Sequence, residues 1–247
     1  MKKLNREPLS ASTMELLAER SRQVLAAEDS KSEAQRLWTQ QGNRAFEEIR
    51  ATLKSMTTGR ERCMYCEDSA ATDIEHFWPK SQYPKRAFSW DNYLLACSGC
   101  NSNHKREKFP LDEAGTPLLI NPTVDDPRDH LFLSVKTGKF RPRKQGGQEN
   151  RKGVESIEVF GLDRDILEKG RLDAWETIPA LLLRYADACS REKWRLALNV
   201  QRTLCRFPFA SVLAWFMDIA SRPDAALFID ERCLPVLERY PDIKHWI

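Results

Sequence analysis

Four stretches between residues 60 and 110 decide the reading of this chain. They are Cys63-Met64-Tyr65-Cys66, Asp73-Ile74-Glu75-His76-Phe77-Trp78-Pro79-Lys80-Ser81, Trp90-Asp91-Asn92-Tyr93-Leu94-Leu95-Ala96, and Cys97-Ser98-Gly99-Cys100-Asn101-Ser102-Asn103-His104-Lys105. Four of the seven cysteines form two Cys-x-x-Cys pairs, while Cys189, Cys205 and Cys233 are scattered through an apolar C-terminal half and read as core residues. In a reducing compartment, paired knuckles favour a metal over a disulfide. Four thiolates close a tetrahedral shell around Zn2+, so Cys63, Cys66, Cys97 and Cys100 are read as the ligands of a structural zinc. A thioredoxin-like redox site uses a single such pair at a helix start, which does not fit two widely separated pairs.

Between the knuckles stands an acid-histidine pair. His76 is the one histidine beside an acid in this region, and a neutral imidazole suits a general base near pH 7. Glu75 offers a hard oxygen to Mg2+ or Mn2+. Asn101 directly follows Cys100, the last of the four zinc ligands, so the zinc would fix where its amide points. Asp73 precedes Glu75 by two residues and on a strand would share its face, either supporting a metal or standing in solvent.

The order of these residues resembles the HNH, or ββα-metal, nuclease family, in the subgroup that staples its small motif with a four-cysteine zinc. In this motif the resemblance covers residues 61–108. It implies metal-dependent hydrolysis of phosphodiester bonds, with His76 and Asn92 as the catalytic pair. His76 falls on the general base, and Asn92 on the asparagine that fixes the loop carrying it. Glu75, in a place usually held by Asp, falls on the acidic ligand of Mg2+ or Mn2+. Asn101 falls on the final metal ligand, with His104 as its rival. Lys80, Lys105 and Arg106 are phosphate-contact candidates whose alternative is plain surface charge.

The flanks carry a narrower and less specific resemblance, to the PtuB-like HNH endonucleases of retron and Septu anti-phage systems. Its marks are residues 1–8 (MKKLNREP), Leu118–Pro122, Asp125-Asp126-Pro127 with His130, and Gly161-Leu162-Asp163. This resemblance implies a PtuA-like ATPase of the ABC/SMC type as partner and, in retron versions, a reverse transcriptase and its RNA–DNA product. DNA is the favoured substrate. An RNA such as tRNA is an alternative, as is a zinc module that binds nucleic acid without cutting it.

The 247-residue chain as a whole supports an α+β fold. A small ββα core is expected, stapled by zinc and flanked by N-terminal helices and a mostly helical C-terminal part. With 41% hydrophobic and 9% aromatic residues, the chain can bury a sizeable core, which excludes wholesale disorder. No apolar run reaches the ~20 residues of a membrane span, and MKKLNREPLS has no apolar region of a secretory signal. A cytoplasmic protein is expected.

Residues 1–60 form the expected helical segment, for partner docking or packing. Ser12 and Glu15 make a capping box there, with Met14, Leu17, Ala18, Val24 and Leu25 at helical spacing. One helix is expected over 32–57. The nuclease module is 61–112. Residues 113–162 hold short strands at 131–135, 139–143 and 154–160, and a basic loop. Helices over 163–187, 190–205, 208–220 and 223–238 fill the last region, 163–247. Residues 136–152 carry +6 of a total formal charge of +3, leaving −3 elsewhere. Lys139, Arg141, Arg143 and Lys144 in that segment are candidate nucleic-acid contacts, the alternative being a solvated loop.

Overall fold

The structure, a computed structural model, describes residues 1–246. Three helices come first: α1 (Ala11–Ala26), α2 (Ser30–Trp38) and α3 (Arg44–Met56). The cap of α1 is Ser10 rather than Ser12, because Ser10 accepts from the Thr13 amide. The reciprocal carboxylate is not Glu15 but Glu48 of α3, which accepts from the Ser10 amide at 2.6 Å and its hydroxyl at 2.7 Å. The buried face of α1 is Thr13, Leu17, Arg20 and Val24, whereas Met14 and Leu25 are exposed.

The helix expected over 32–57 is two. Asp29 caps α2 by accepting from the Lys31 and Ser32 amides, and Asn43 caps α3 by accepting from the Phe46 amide. A second N-cap inside the stretch gives the backbone a new start, and the chain turns between them.

Strands β1 (Asp73–His76) and β2 (Tyr93–Ala96) pair antiparallel, with Asp73 opposite Ala96 and His76 opposite Tyr93. A π-helix over Gly99–Lys105 follows β2 and completes the expected ββα core. Beyond it come a short α4 (Pro127–His130), then β3 (Leu131–Leu133), β4 (Phe140–Pro142), β5 (Lys144–Gln145) and β6 (Gln148–Glu149). β3 pairs with β4 and β5 with β6, both antiparallel.

The strand expected at 154–160 is instead helix α5 (Arg151–Phe160). Asn150 caps its start by accepting from the Gly153 amide, and Gly161 closes its end at φ 59°. Gly153, Ser156, Val159 and Phe160 are its buried residues, a helical rather than an alternating pattern. The C-terminal part is α6 (Asp165–Ser190), α7 (Trp194–Arg206), α8 (Ser211–Ala220) and α9 (Cys233–Arg239), and the helix expected over 223–238 is instead a 3-10 turn over Ala225–Leu227 followed by α9. Among the described residues no single helix is long and apolar enough to cross a membrane.

The N-terminal residues are packed onto the central module. Arg6 donates to the Tyr93 carbonyl (2.7 Å), the Asp91 carbonyl (3.1 Å) and the Thr123 hydroxyl (2.9 Å). Leu4 donates its amide to the Pro122 carbonyl at 2.8 Å. MKKLNREP and Leu118–Pro122 thus brace each other beside β2. Asp125 pairs with Lys152 at 2.9 Å, and Asp126 caps α4. These flanking residues are structural ties.

Candidate nuclease site

The four cysteines come from three places: the 63–66 knuckle, the residue after β2, and the start of the π-helix. Their sulfur atoms lie within 4.8 Å of one another, all buried, and Cys66 and Cys97 Sγ are 3.8 Å apart. A tetrahedron with Zn–S bonds of about 2.3 Å needs sulfurs about 3.8 Å apart, so the set fits zinc. The neighbouring sulfurs hold the Cys66 and Cys97 thiols below the ordinary thiol value. Arg164, which no motif marked, donates to Cys100 Sγ at 3.1 Å and sets a positive charge against the thiolates.

The same sulfur cluster anchors the other side chains. Glu75 and His76 end β1, Asn101 opens the π-helix, and all three line one cleft of about 200 Å3. Trp38, Lys80 and Arg106 line it too. His104 does not. The i→i+5 winding of the π-helix carries its ring to the opposite side, against Gly161. A Cβ on Gly161 would lie 2.4 Å from His104 Nδ1, so the glycine both closes α5 and admits the ring.

His76 is 7% exposed. Its Nε2 stands 2.9 Å from the Ala87 carbonyl, which can only accept, so Nε2 carries the proton and Nδ1 keeps a lone pair. Tyr93 Oη donates to the same carbonyl at 2.8 Å. Burial pushes the imidazole down to about 3, against the stabilising pull of that carbonyl, so the ring is neutral near pH 7. The Trp38 ring stands edge-on to it, centroids 4.2 Å apart. Nothing in the sequence singles out Trp38 beyond its place on an apolar helix face.

Asn92 lies outside the cleft. Its side chain accepts from the Trp78 amide (2.7 Å) and donates to the Trp78 (3.1 Å) and Arg86 (3.0 Å) carbonyls. All three bonds go to the backbone of the loop after His76.

Glu75 is 4% exposed, and burial raises its carboxyl, opposed by Lys105. Lys105 is the surprise. Its amine is buried, 2.5 Å from Glu75 Oε1 and 3.0 Å from the His76 carbonyl. The ammonium and Oε1 form a buried ion pair. A buried carboxylate and an amide lining one cleft make a donor set that suits a hard divalent cation. The placement takes Lys105 off the surface, where a phosphate contact requires it.

Of the basic segment, Arg141 and Lys144 are exposed and have no acidic partner among the described residues. Lys139 stands 3.6 Å from Glu168, and Arg143 donates to the Arg128 carbonyl. A larger hollow of about 710 Å3, lined by Lys2, Lys3, Asp126, Asp218 and Lys244 among others, gathers charges of both signs.

Comparison with known proteins bears out the HNH resemblance over the central segment: residues 63–107 match the family model of HNH endonucleases. The chain is 32% identical over 177 residues to the Septu protein PtuB of Bacillus mycoides (strain KBAB4), covering 60% of this chain and 57% of that protein. It is 32% identical over 102 residues to the Septu protein PtuB of Bacillus thuringiensis, covering 38% and 37%. Protein ea31 of Escherichia phage lambda is 31% identical over 71 residues, covering 28% and 23%. The chain therefore spans little more than half the length of the first of these relatives and less of the others.

Proposed function

We propose that this chain is a metal-dependent HNH endonuclease that hydrolyses phosphodiester bonds of nucleic acid, with DNA favoured. In this reading it is the effector of an anti-phage defence system, working in the cytoplasm with an ABC/SMC-type ATPase resembling PtuA. The observation that carries the chemistry is the meeting of Glu75, His76 and Asn101 in one cleft beside the four-cysteine cluster. The similarity to two Septu proteins supports the defence setting. A retron setting, with a reverse transcriptase and its RNA–DNA product as partners, rests on the resemblance alone.

In this reading His76 Nδ1 takes the proton of the attacking water, while the Ala87 carbonyl holds the other nitrogen and so the tautomer. Asn92 keeps the loop after His76 in place. Glu75 and the Asn101 amide oxygen hold Mg2+ or Mn2+, which supplies charge stabilisation at the phosphate when bound. Lys105 acts inside the protein as the counter-charge of Glu75, and Lys80 and Arg106 meet phosphate at the cleft's edge. The zinc is structural, since four thiolates leave no open position.

The test is incubation of the purified chain, with and without the ATPase, with plasmid DNA and total RNA in Mg2+ or Mn2+. The expected result is DNA cleavage that falls at least ~100-fold in His76→Ala while zinc content stays the same. Cleavage of RNA alone would make it an RNA-cutting effector. No cleavage of either, with zinc and the partner bound, would favour a binding module.

A further inference from the structure

The Asn101 amide has two orientations that differ only in exchanging oxygen and nitrogen, and only one of them presents an oxygen to the cleft. Asn101 Nδ2 lies 3.2 Å from Asp73 Oδ2. An ionised carboxylate accepts and does not donate, so this contact admits the NH2 and repels the carbonyl. The amide nitrogen is thereby held toward Asp73, and Oδ1 is left for the other side. No protein donor meets Oδ1 among the described residues.

Asp73 is itself held. The Thr72 hydroxyl donates to its other oxygen, Oδ1, at 2.9 Å. Its place opposite Ala96 puts it at the end of the ribbon from which Cys97 and the π-helix depart. It does not line the cleft, whereas Glu75 and Asn101 do. Metal-binding histidines are oriented by outer carboxylates in the same manner, and losing such a partner typically costs 10- to 100-fold in metal affinity.

We propose that Asp73 is a positioning residue that fixes the Asn101 amide with its oxygen toward the metal-binding side of the cleft. The inference rests on the reading of Asn101 as a metal ligand.

The test is Mn2+ titration of the zinc-loaded full chain, following free Mn2+ by electron paramagnetic resonance. Each variant is first matched to the wild type in zinc content and melting temperature. Asp73→Asn removes the discrimination between amide faces and is expected to weaken Mn2+ binding about tenfold or more. Asp73→Ala serves the same purpose should the asparagine variant lose its fold. Combining Asp73→Asn with Asn101→Asp rebuilds a carboxylate–amide pair in reverse and is expected to restore most of the affinity. Combining Asp73→Ala with Asn101→Asp is expected to recover as well, because either oxygen of a carboxylate at 101 serves the metal and no partner is needed to choose between them.

Unchanged affinity in Asp73→Asn would overturn the proposal. If Asp73→Asn binds more weakly and neither double variant recovers, Asp73 is a ligand in its own right and the positioning role is lost. A wild type that binds no Mn2+, or a Glu75→Gln variant that binds it as tightly, would remove the metal reading of the cleft and the positioning role with it. That result is distinguishable from failure at Asp73 alone.

Discussion

His76 shows how much a single residue's environment adds to its identity. The sequence marks it as a base because an acid precedes it and two knuckles flank it. The structure adds burial, a carbonyl on Nε2 and an aromatic ring against its side. Those surroundings make the ring hard to protonate. Its folded pKa, about 3, lies below the ordinary value near 6.5. Between those two values the unfolded chain binds more protons than the folded one, so this residue's linkage makes stability fall as pH drops below about 6.5. Thermal melts from pH 7 to pH 5 are expected to show a steeper loss in the wild type than in His76→Gln, where the linkage is gone. Parallel losses would mean that the ring is not held neutral. Lys105 makes the opposite point. Its place in the motif suggests a hand for phosphate, but its amine is committed to Glu75 and the His76 carbonyl. Only the fold could show that, because a lysine's partner is not written beside it.

At the scale of elements, α2 and α5 are the instructive cases. The stretch 154–160, VESIEVF, is rich in β-branched residues and reads as a strand, yet Asn150 before it and Gly161 after it cap a helix. The signal was present in the flanks and lost to local propensity, which is the weaker guide. The end of α2 matters more for the site. Arg20 of α1 donates to the Leu37 carbonyl (3.1 Å) and the Gln40 carbonyl (2.7 Å), satisfying the open end of that helix and fixing Trp38 at its last turn. Trp38 then packs against His76, Phe46 and Tyr93. Trp38→Ala is expected to destabilise the protein by about 2–3 kcal/mol in denaturant titration, somewhat below a fully buried tryptophan because the ring is half-buried. It is also expected to slow cleavage, with Trp38→Phe closer to the wild type in both. Wild-type stability in Trp38→Ala would show that the N-terminal helices do not brace the site.

Across the whole molecule, charge is the property with a direct functional test. Lys136, Arg141, Lys144 and Arg151 are exposed and lack acidic partners among the described residues. Lys139 and Lys152 of the same segment face Glu168 and Asp125. Arg143 is exposed too but donates to the Arg128 carbonyl, which leaves Lys136, Arg141, Lys144 and Arg151 as the ones free to meet phosphate. Replacing all four by alanine in a His76→Ala background is expected to weaken duplex DNA binding and reduce the slope of log affinity against log salt by about 3–4. An unchanged slope would mark the segment as a solvated loop. The N-terminal strap belongs to this scale too, since Arg6 joins residues 91, 93 and 123.

The spacing of cysteines, the Glu75-His76 pair and Asn101 after Cys100 were legible in the sequence because each is local, and a closed four-thiolate shell needs only the right residues at the right intervals. The α+β class and most of the C-terminal helices followed from periodicity for the same reason. The tertiary structure decided what depends on distant partners: Lys105 turned inward to Glu75, Trp38 against His76, Arg164 on Cys100, and Asn101 rather than His104 in the cleft. Burial determines these placements. A buried charge or amide must find its partner wherever the packed chain brings one, and no interval in the sequence encodes that meeting.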